Sequence, residues 1–305
     1  MPFNDTAALV LAEASRFLDE TSTALEIFDQ TLDVSDAVLD HLLQVARPAW
    51  RVADLEKLRG MTLDQRRPHL PLLYAALGIP DWVAVDSHAG RGNLVMDVNE
   101  NFRARYGFNR FFDIVSNKGS TEHLFDQRQA FENIHNVCRT GGVMLHNVPT
   151  MNVFNHAFFG YHPLFFVELA EANGYGILDL RLANRWGDTI PVVFPSEAPA
   201  DRRIYRPDPG KTAPALPLSL KVDDFVAKTV PGISRSPLSE AYEILSRRGE
   251  MRRTGNPGEI FVVAMLRKKT DDPFRVPYQG KFLSYIQTRE FRERYAGQLS
   301  GRTRA

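Results

Sequence analysis

A chain of 305 residues with 37 Lys plus Arg against 37 Asp plus Glu carries no formal net charge, so no global field draws it to nucleic acid or an anionic membrane. At this length it is expected to bury a full core, as one α/β domain carrying an insertion, and no window approaches the run of about twenty apolar residues that spans a bilayer. The start, MPFNDTAALVLAEASRF, has no basic region before its apolar stretch and is not read as a signal peptide, and the single cysteine, Cys138, excludes an internal disulfide and points to a reducing cytoplasm.

Residues 6 to 46 read as helices, because Leu9, Leu11, Phe17, Leu18, Leu25, Phe28, Leu32, Val38, Leu42 and Leu43 recur largely at spacings of three, four and seven. Asp33 or Ser35 supplies a cap for the second piece. Segment 1–48 is therefore expected to be an N-terminal helical cap; its alternative role is an arm joining copies of the chain in a homo-oligomer. From Trp50 to Gly174 short apolar runs alternate with amphipathic stretches, the signature of a parallel sheet with crossover helices. The runs are Trp82 to Val85, Leu94 to Met96, Phe111 to Val115 and Val143 to His146. A helix capped by Ser120 or Thr121 stops at Gly141-Gly142, and a second starts near Pro163 and ends at Asn173-Gly174. Ile177 to Leu182 and Ile260 to Leu266 read as further strands. The sheet domain is thus expected over 49–183 and 259–290. Segment 184–258, rich in proline and charge, is expected to be an insertion or lid over the site, with one helix around Leu238 to Arg248.

In an open parallel sheet, ligands sit beyond the carboxyl ends of the strands. The runs here end on polar residues: Asp86; Asp97 and Asn99; Ser116 and Asn117; His146 and Asn147. The order Phe112-Asp113-Ile114-Val115, Glu122-His123 and Arg139-Thr140-Gly141-Gly142-Val143-Met144 resembles the second half of a class I methyltransferase. The phrases STEHLFDQRQAFENIHNVCRTGGVMLHNVP and NHAFFGYHPLFFVELAEANGYGI are similar to a bacterial subgroup of those enzymes.

That resemblance implies an α/β, Rossmann-like methyltransferase sheet with helices on both faces and S-adenosylmethionine as cofactor. It implies that Asp86 accepts the ribose hydroxyls, that Asp97 and Val98 flank the adenine, and that Ser116, Asn117 and Gly119 line the methionine end. It also implies a glycine-rich turn near Val52-Ala53-Asp54-Leu55, where only Gly60 is within reach. Asp54 and Glu56 are the residues there with the charge to meet the cofactor's amino or sulfonium group.

Methyl transfer is an in-line displacement, so the protein aligns donor and acceptor and removes a proton from a hydroxyl acceptor. The candidate bases are His123, His146 and His156, with Glu122 as an alternative base or a group that orients an imidazole. His146, His156 and His162 match no compact zinc spacing, and no metal is expected. Phe154, Phe158, Phe159, Tyr161, Phe165 and Phe166 form an aromatic patch that supplies core and an acceptor wall; basic residues are scarce in it, which argues against a nucleic-acid platform. The activity this implies is methylation, through oxygen, of a small-molecule or glycan-linked acceptor. The alternatives are a methyltransferase-like partner or scaffold that has lost its cofactor loop, and a nicotinamide-dependent oxidoreductase, which needs an equally absent glycine fingerprint.

Overall fold

The structure, a computed structural model, describes residues 2–19, 21–90, 92–151, 156–184, 189–193, 206–207, 259–279, 290 and 293. The chain opens with β1 (Phe3–Asn4), α1 (Asp5–Ala14), β2 (Thr23–Ile27) and β3 (Leu32–Asp33). Four helices follow: α2 (Asp36–Gln44), α3 (Val52–Arg59), α4 (Leu63–Arg66) and α5 (Leu70–Ala76). Then come β4 (Asp81–Asp86), β5 (Leu94–Val95), α6 (Phe102–Tyr106), β6 (Phe112–Lys118), α7 (Gln127–Val137), β7 (Cys138–Met151), α8 (Pro163–Asn173) and β8 (Gly176–Asn184). The sheet is completed by β9 (Thr189–Val193), β10 (Arg206–Pro207) and β11 (Ile260–Arg267).

Nine strands form one sheet in the order β10-β9-β8-β11-β7-β6-β2-β4-β5. From β5 to β7 all neighbours are parallel, and β11 enters antiparallel between β7 and β8. Strands buried on both faces demand apolar side chains both ways, and β11 shows it. Ile260, Val262, Ala264 and Leu266 enter the core that α7 and α8 cover, while Val263 and Met265 enter the core built with α1 to α5. This is an α/β, Rossmann-like fold with helices on both faces of the sheet.

The N-terminal segment corrects the expectation of a helical cap. Within residues 6–46, Thr23–Ile27 is a strand at the middle of the sheet, paired with β4 on one side and β6 on the other. Leu25 and Phe28 satisfy a helical spacing by coincidence. The local pattern is period two, with Leu25 and Ile27 packed into one core, Ala24 into the other, and Glu26 on the Ala24 side bonded to Tyr74 of α5. The polar Glu26 in the middle of the run hides the strand. Val52–Leu55, expected at the first strand and its turn, instead lies in α3.

Other boundaries move by a few residues. The helix expected from Ser120 splits into a short turn at Thr121–His123 and α7, which Asp126 caps by accepting from the Gln129 N–H at 2.9 Å. β7 begins at Cys138 and runs through Gly141-Gly142, so that turn lies inside a strand. A Cβ on Gly142 would lie 2.9 Å from the Arg139 carbonyl and 3.0 Å from that of Asp113, which is why the position is glycine. The insertion contributes β9 and β10 to the sheet edge, where no regular strand was expected. The helix expected over Leu238 to Arg248 lies outside the described residues.

Candidate active site

The strand order reverses at β2, whose neighbours lead to β5 on one side and to β6 and β7 on the other. At such a switch point the strand ends diverge and leave a crevice for a ligand. Beyond β2 stands Phe28-Asp29-Gln30, with no glycine. Phe28 has a φ of +70°, the one non-glycine residue with positive φ among the described residues, in a conformation that glycine adopts without cost. The turn is fastened to β4: the Phe28 N–H donates to the Val85 carbonyl (2.8 Å) and the Asp29 N–H to Asp86 Oδ2 (3.0 Å). It is also fastened to β6, since Gln30 Nε2 donates to the Lys118 carbonyl (3.0 Å) and Ser120 Oγ to the Ile27 carbonyl (2.6 Å).

Asp86 stands at the end of β4, its side chain 21% exposed, with Oδ1 also accepting from the His88 N–H at 3.2 Å. Asp97 is exposed; its Oδ1 takes two bonds from Asn99, each 2.9 Å. Val98 is buried in the core and presents no face to a ligand. Asp54 sits in the first turn of α3, 3.7 Å from Arg51, in the helical layer and not on the turn after the first strand. Ser116 and Asn117 lie inside β6 and are buried, and Gly119 follows in a left-handed turn with φ +59°.

Ser116 belongs to a buried acid cluster that the residue pattern did not reveal. Its Oγ donates to Glu26 Oε1 at 3.0 Å, and the Tyr74 hydroxyl donates to the other oxygen. Burial pushes the Glu26 carboxyl up to about 8, opposed by those two bonds and by the charge of Lys118. A carboxyl before the turn after the first strand is the signal that would have found it.

The four candidate bases separate into two places. His146 is 1% exposed, its ring 5.5 Å from Phe131 and 5.0 Å from Phe166, and its Nδ1 lies 3.1 Å from Asn117 Nδ2. Burial pushes it down to about 3, so it is a neutral core imidazole and no proton acceptor at the crevice, against expectation. Glu122, His123 and His156 come together instead. Glu122 is fully buried, neither carboxylate oxygen has a hydrogen-bond partner, and burial pushes it up to about 7. His123 Nε2 lies 4.0 Å from Glu122 Oε1, and the His123 and His156 rings meet edge to face at 4.8 Å. The N–H groups of Phe158 and Phe159 donate to the Glu122 carbonyl (3.0 and 3.2 Å), tying the two segments together. Phe125 and Phe158 are largely exposed beside the cluster, with Phe159 between them at 6.5 and 6.4 Å. Of the expected aromatic patch, Phe158 is exposed, Tyr161 and Phe166 belong to the core, and Phe154 lies outside the described residues. No helix among the described residues is long and apolar enough to cross a membrane.

No protein-family model matches the chain, and a search of curated proteins finds no match. Solved structures resemble it at low similarity. One is the O-methyltransferase of a trans-AT PKS multienzyme of Brevibacillus brevis, in complex with S-adenosyl-L-homocysteine, at 9% identity and a TM-score of 0.38 over 96% of this chain and 77% of that one. A SAM-dependent methyltransferase from Archaeoglobus fulgidus is 13% identical, with a TM-score of 0.32 over 84% and 93% of the two chains. The (4+2) cyclase SpnF is also 13% identical, with a TM-score of 0.36 over 87% and 80%. The ligand and activities in these names are those proteins' own.

Proposed function

We propose that the protein is an S-adenosylmethionine-dependent methyltransferase acting through oxygen on a small-molecule or glycan-linked acceptor. The observation that carries the reading is Asp86, a partly exposed carboxylate one strand from the switch point, held by the turn that follows β2. The donor set fits the adenosine half of the cofactor: Asp86 has acceptor capacity left for ribose hydroxyls, and Asp97 keeps Oδ2 for an exocyclic amine. Gly119, in a left-handed turn after β6, has no side chain to stand between the backbone and the methionine end of the cofactor. Ser116, Asn117 and Val98 support these positions from the core without touching a ligand, and Asp54 has no part in them.

When bound, S-adenosylmethionine supplies an electrophilic methyl group on a sulfonium. The chain's own task is to align the acceptor and take its proton. His123 and His156 are the groups placed for that, beside the Phe125, Phe158 and Phe159 surface where a flat or sugar-like acceptor can stack. Glu122, 4.0 Å from His123 and not hydrogen-bonded to it, is the reserve base of the same cluster.

A second reading has its own observation. Phe28 and Gln30 stand where a glycine-rich turn would leave room, and Gln30 and Ser120 close the seam between β2 and β6, which suits a methyltransferase-like partner or scaffold without cofactor. Calorimetry with S-adenosylmethionine, its demethylated product and NAD separates the readings. Asp86→Ala should weaken binding of the first two about tenfold or more, the effect of removing a charged hydrogen-bond partner. Wild-type protein that binds none of the three supports the scaffold, and NAD binding alone overturns both readings.

A further inference from the structure

We propose that Glu122, His123 and His156 form a binding site for a first-row divalent transition ion. Each offers one ligand atom, and the three atoms lie within 4.8 Å of one another. The set of two imidazoles and one carboxylate is the donor set of catalytic zinc and non-haem iron(II) sites, and its nitrogen content disfavours magnesium and calcium.

Glu122 carries the inference beyond mere proximity. Its residue is 0% exposed, and both carboxylate oxygens are buried without a hydrogen-bond partner. An ionised carboxylate so placed is expensive unless a cation meets it, and buried charges in proteins are paired or coordinate metals. His156 Nε2 is likewise buried and without a hydrogen-bond partner. Unsatisfied buried polar atoms thus occur on two members of the set that lie on separate segments, and backbone bonds from Phe158 and Phe159 to the Glu122 carbonyl hold the segments together.

The fit requires a small inward movement. Bonds of about 2.1 Å at a tetrahedral centre set ligand atoms about 3.4 Å apart. His123, with its side chain 32% exposed and 4.0 Å from Glu122, is the ligand that would move. The same exposure gives the ion a route in from solvent. Three protein ligands leave at least one position for water or an acceptor oxygen. The site stands independently of methyl transfer; where both hold, the ion fixes and acidifies the acceptor hydroxyl in place of a free imidazole base.

The test uses the full chain stripped with a chelator, then titrated with Zn²⁺, Mn²⁺ and Co²⁺ by calorimetry, with the visible spectrum of Co²⁺ as a second readout. One equivalent per chain at a Kd of about 10 μM or tighter for at least one ion is expected, with a higher Tm on loading. His123→Ala, at a partly exposed position, should weaken binding at least about tenfold, and Glu122→Gln and His156→Ala more, because each removes a direct ligand. Circular dichroism confirms that each variant is folded, and a variant that fails to fold leaves His123→Ala to decide. Absence of binding below about 100 μM in the wild type overturns the site, as does binding that His123→Ala leaves unchanged. No cofactor is present in the assay, so failure here leaves the methyltransferase reading intact, and failure to bind S-adenosylmethionine leaves the metal site intact.

Discussion

Glu26 gives the sharpest physical test of the central strand. It lies fully buried on β2, bonded by Tyr74 of α5 and Ser116 of β6, with Lys118 and Asp29 the other charges that bear on it. Its carboxyl is pushed from 4.5 up to about 8, mainly by burial. The native state therefore keeps the proton over a range in which the unfolded chain releases it. Stability from this group is fully present below about pH 4.5 and is lost as the pH rises through 8, because the unfolded state then binds fewer protons than the native one. At about 1.4 kcal/mol for each pH unit that separates the folded from the unfolded value, the total approaches 5 kcal/mol as an upper bound. Glu26→Gln keeps the shape and the hydrogen bonds, with Ser116 and Tyr74 reorienting, and removes the titration. Urea unfolding of both proteins at pH 5.5, 6.5, 7.5 and 8.5 should show the wild type losing stability relative to the variant by up to about 1.4 kcal/mol per pH unit, then levelling above pH 8. Histidines whose protonation alters stability are common to both proteins and cancel in the difference. Parallel stability curves for wild type and variant would show that Glu26 is not a buried, protonated acid, and the placement of β2 against α5 would be wrong.

Two further outcomes bear on the crevice. Phe28→Gly relieves the positive φ, worth about 1–2 kcal/mol, but removes a ring packed on the core, so the net result should be a lower Tm together with tighter S-adenosylmethionine binding by calorimetry. An affinity that falls instead would mean that the ring forms part of the pocket and does not occupy it. His146→Ala should cost about 2–4 kcal/mol in urea unfolding, through the cavity left between Phe131 and Phe166, while the pH profile of any turnover near neutrality stays as in the wild type. Wild-type stability with lost turnover would restore His146 as a base.

What the sequence made legible was the part of the fold written in uninterrupted apolar runs. Trp82 to Val85 and Ile260 to Leu266 are strands within a residue or so of their expected limits, and Asn173-Gly174 ends α8 with Gly174 at φ +67°. β2 escaped because five residues with a glutamate among them carry little apolar signal, and the carboxyl is tolerated only through Tyr74 and Ser116, one 48 and one 90 residues away. The loss of that strand displaced the whole first turn by about one helix, and placed Asp54 at a position in the fold that the Phe28 to Gln30 segment occupies. Polar strand ends misled in a related way. Rules for open sheets say where strands end on average, but β6 continues through Ser116 and Asn117 to Lys118, and β7 through His146 to Met151, so those side chains are enclosed by neighbouring strands. The groups that do gather, Glu122, His123 and His156, lie just past those strand ends. Their meeting depends on a backbone clasp between residues 122 and 158–159, a contact that no spacing rule encodes. Glu122 is distinguished from an ordinary helix-start acid only by the burial of its two oxygens, a property of the packed molecule, and that burial turns an adjacent Glu-His pair into a centre able to hold a cation or a proton.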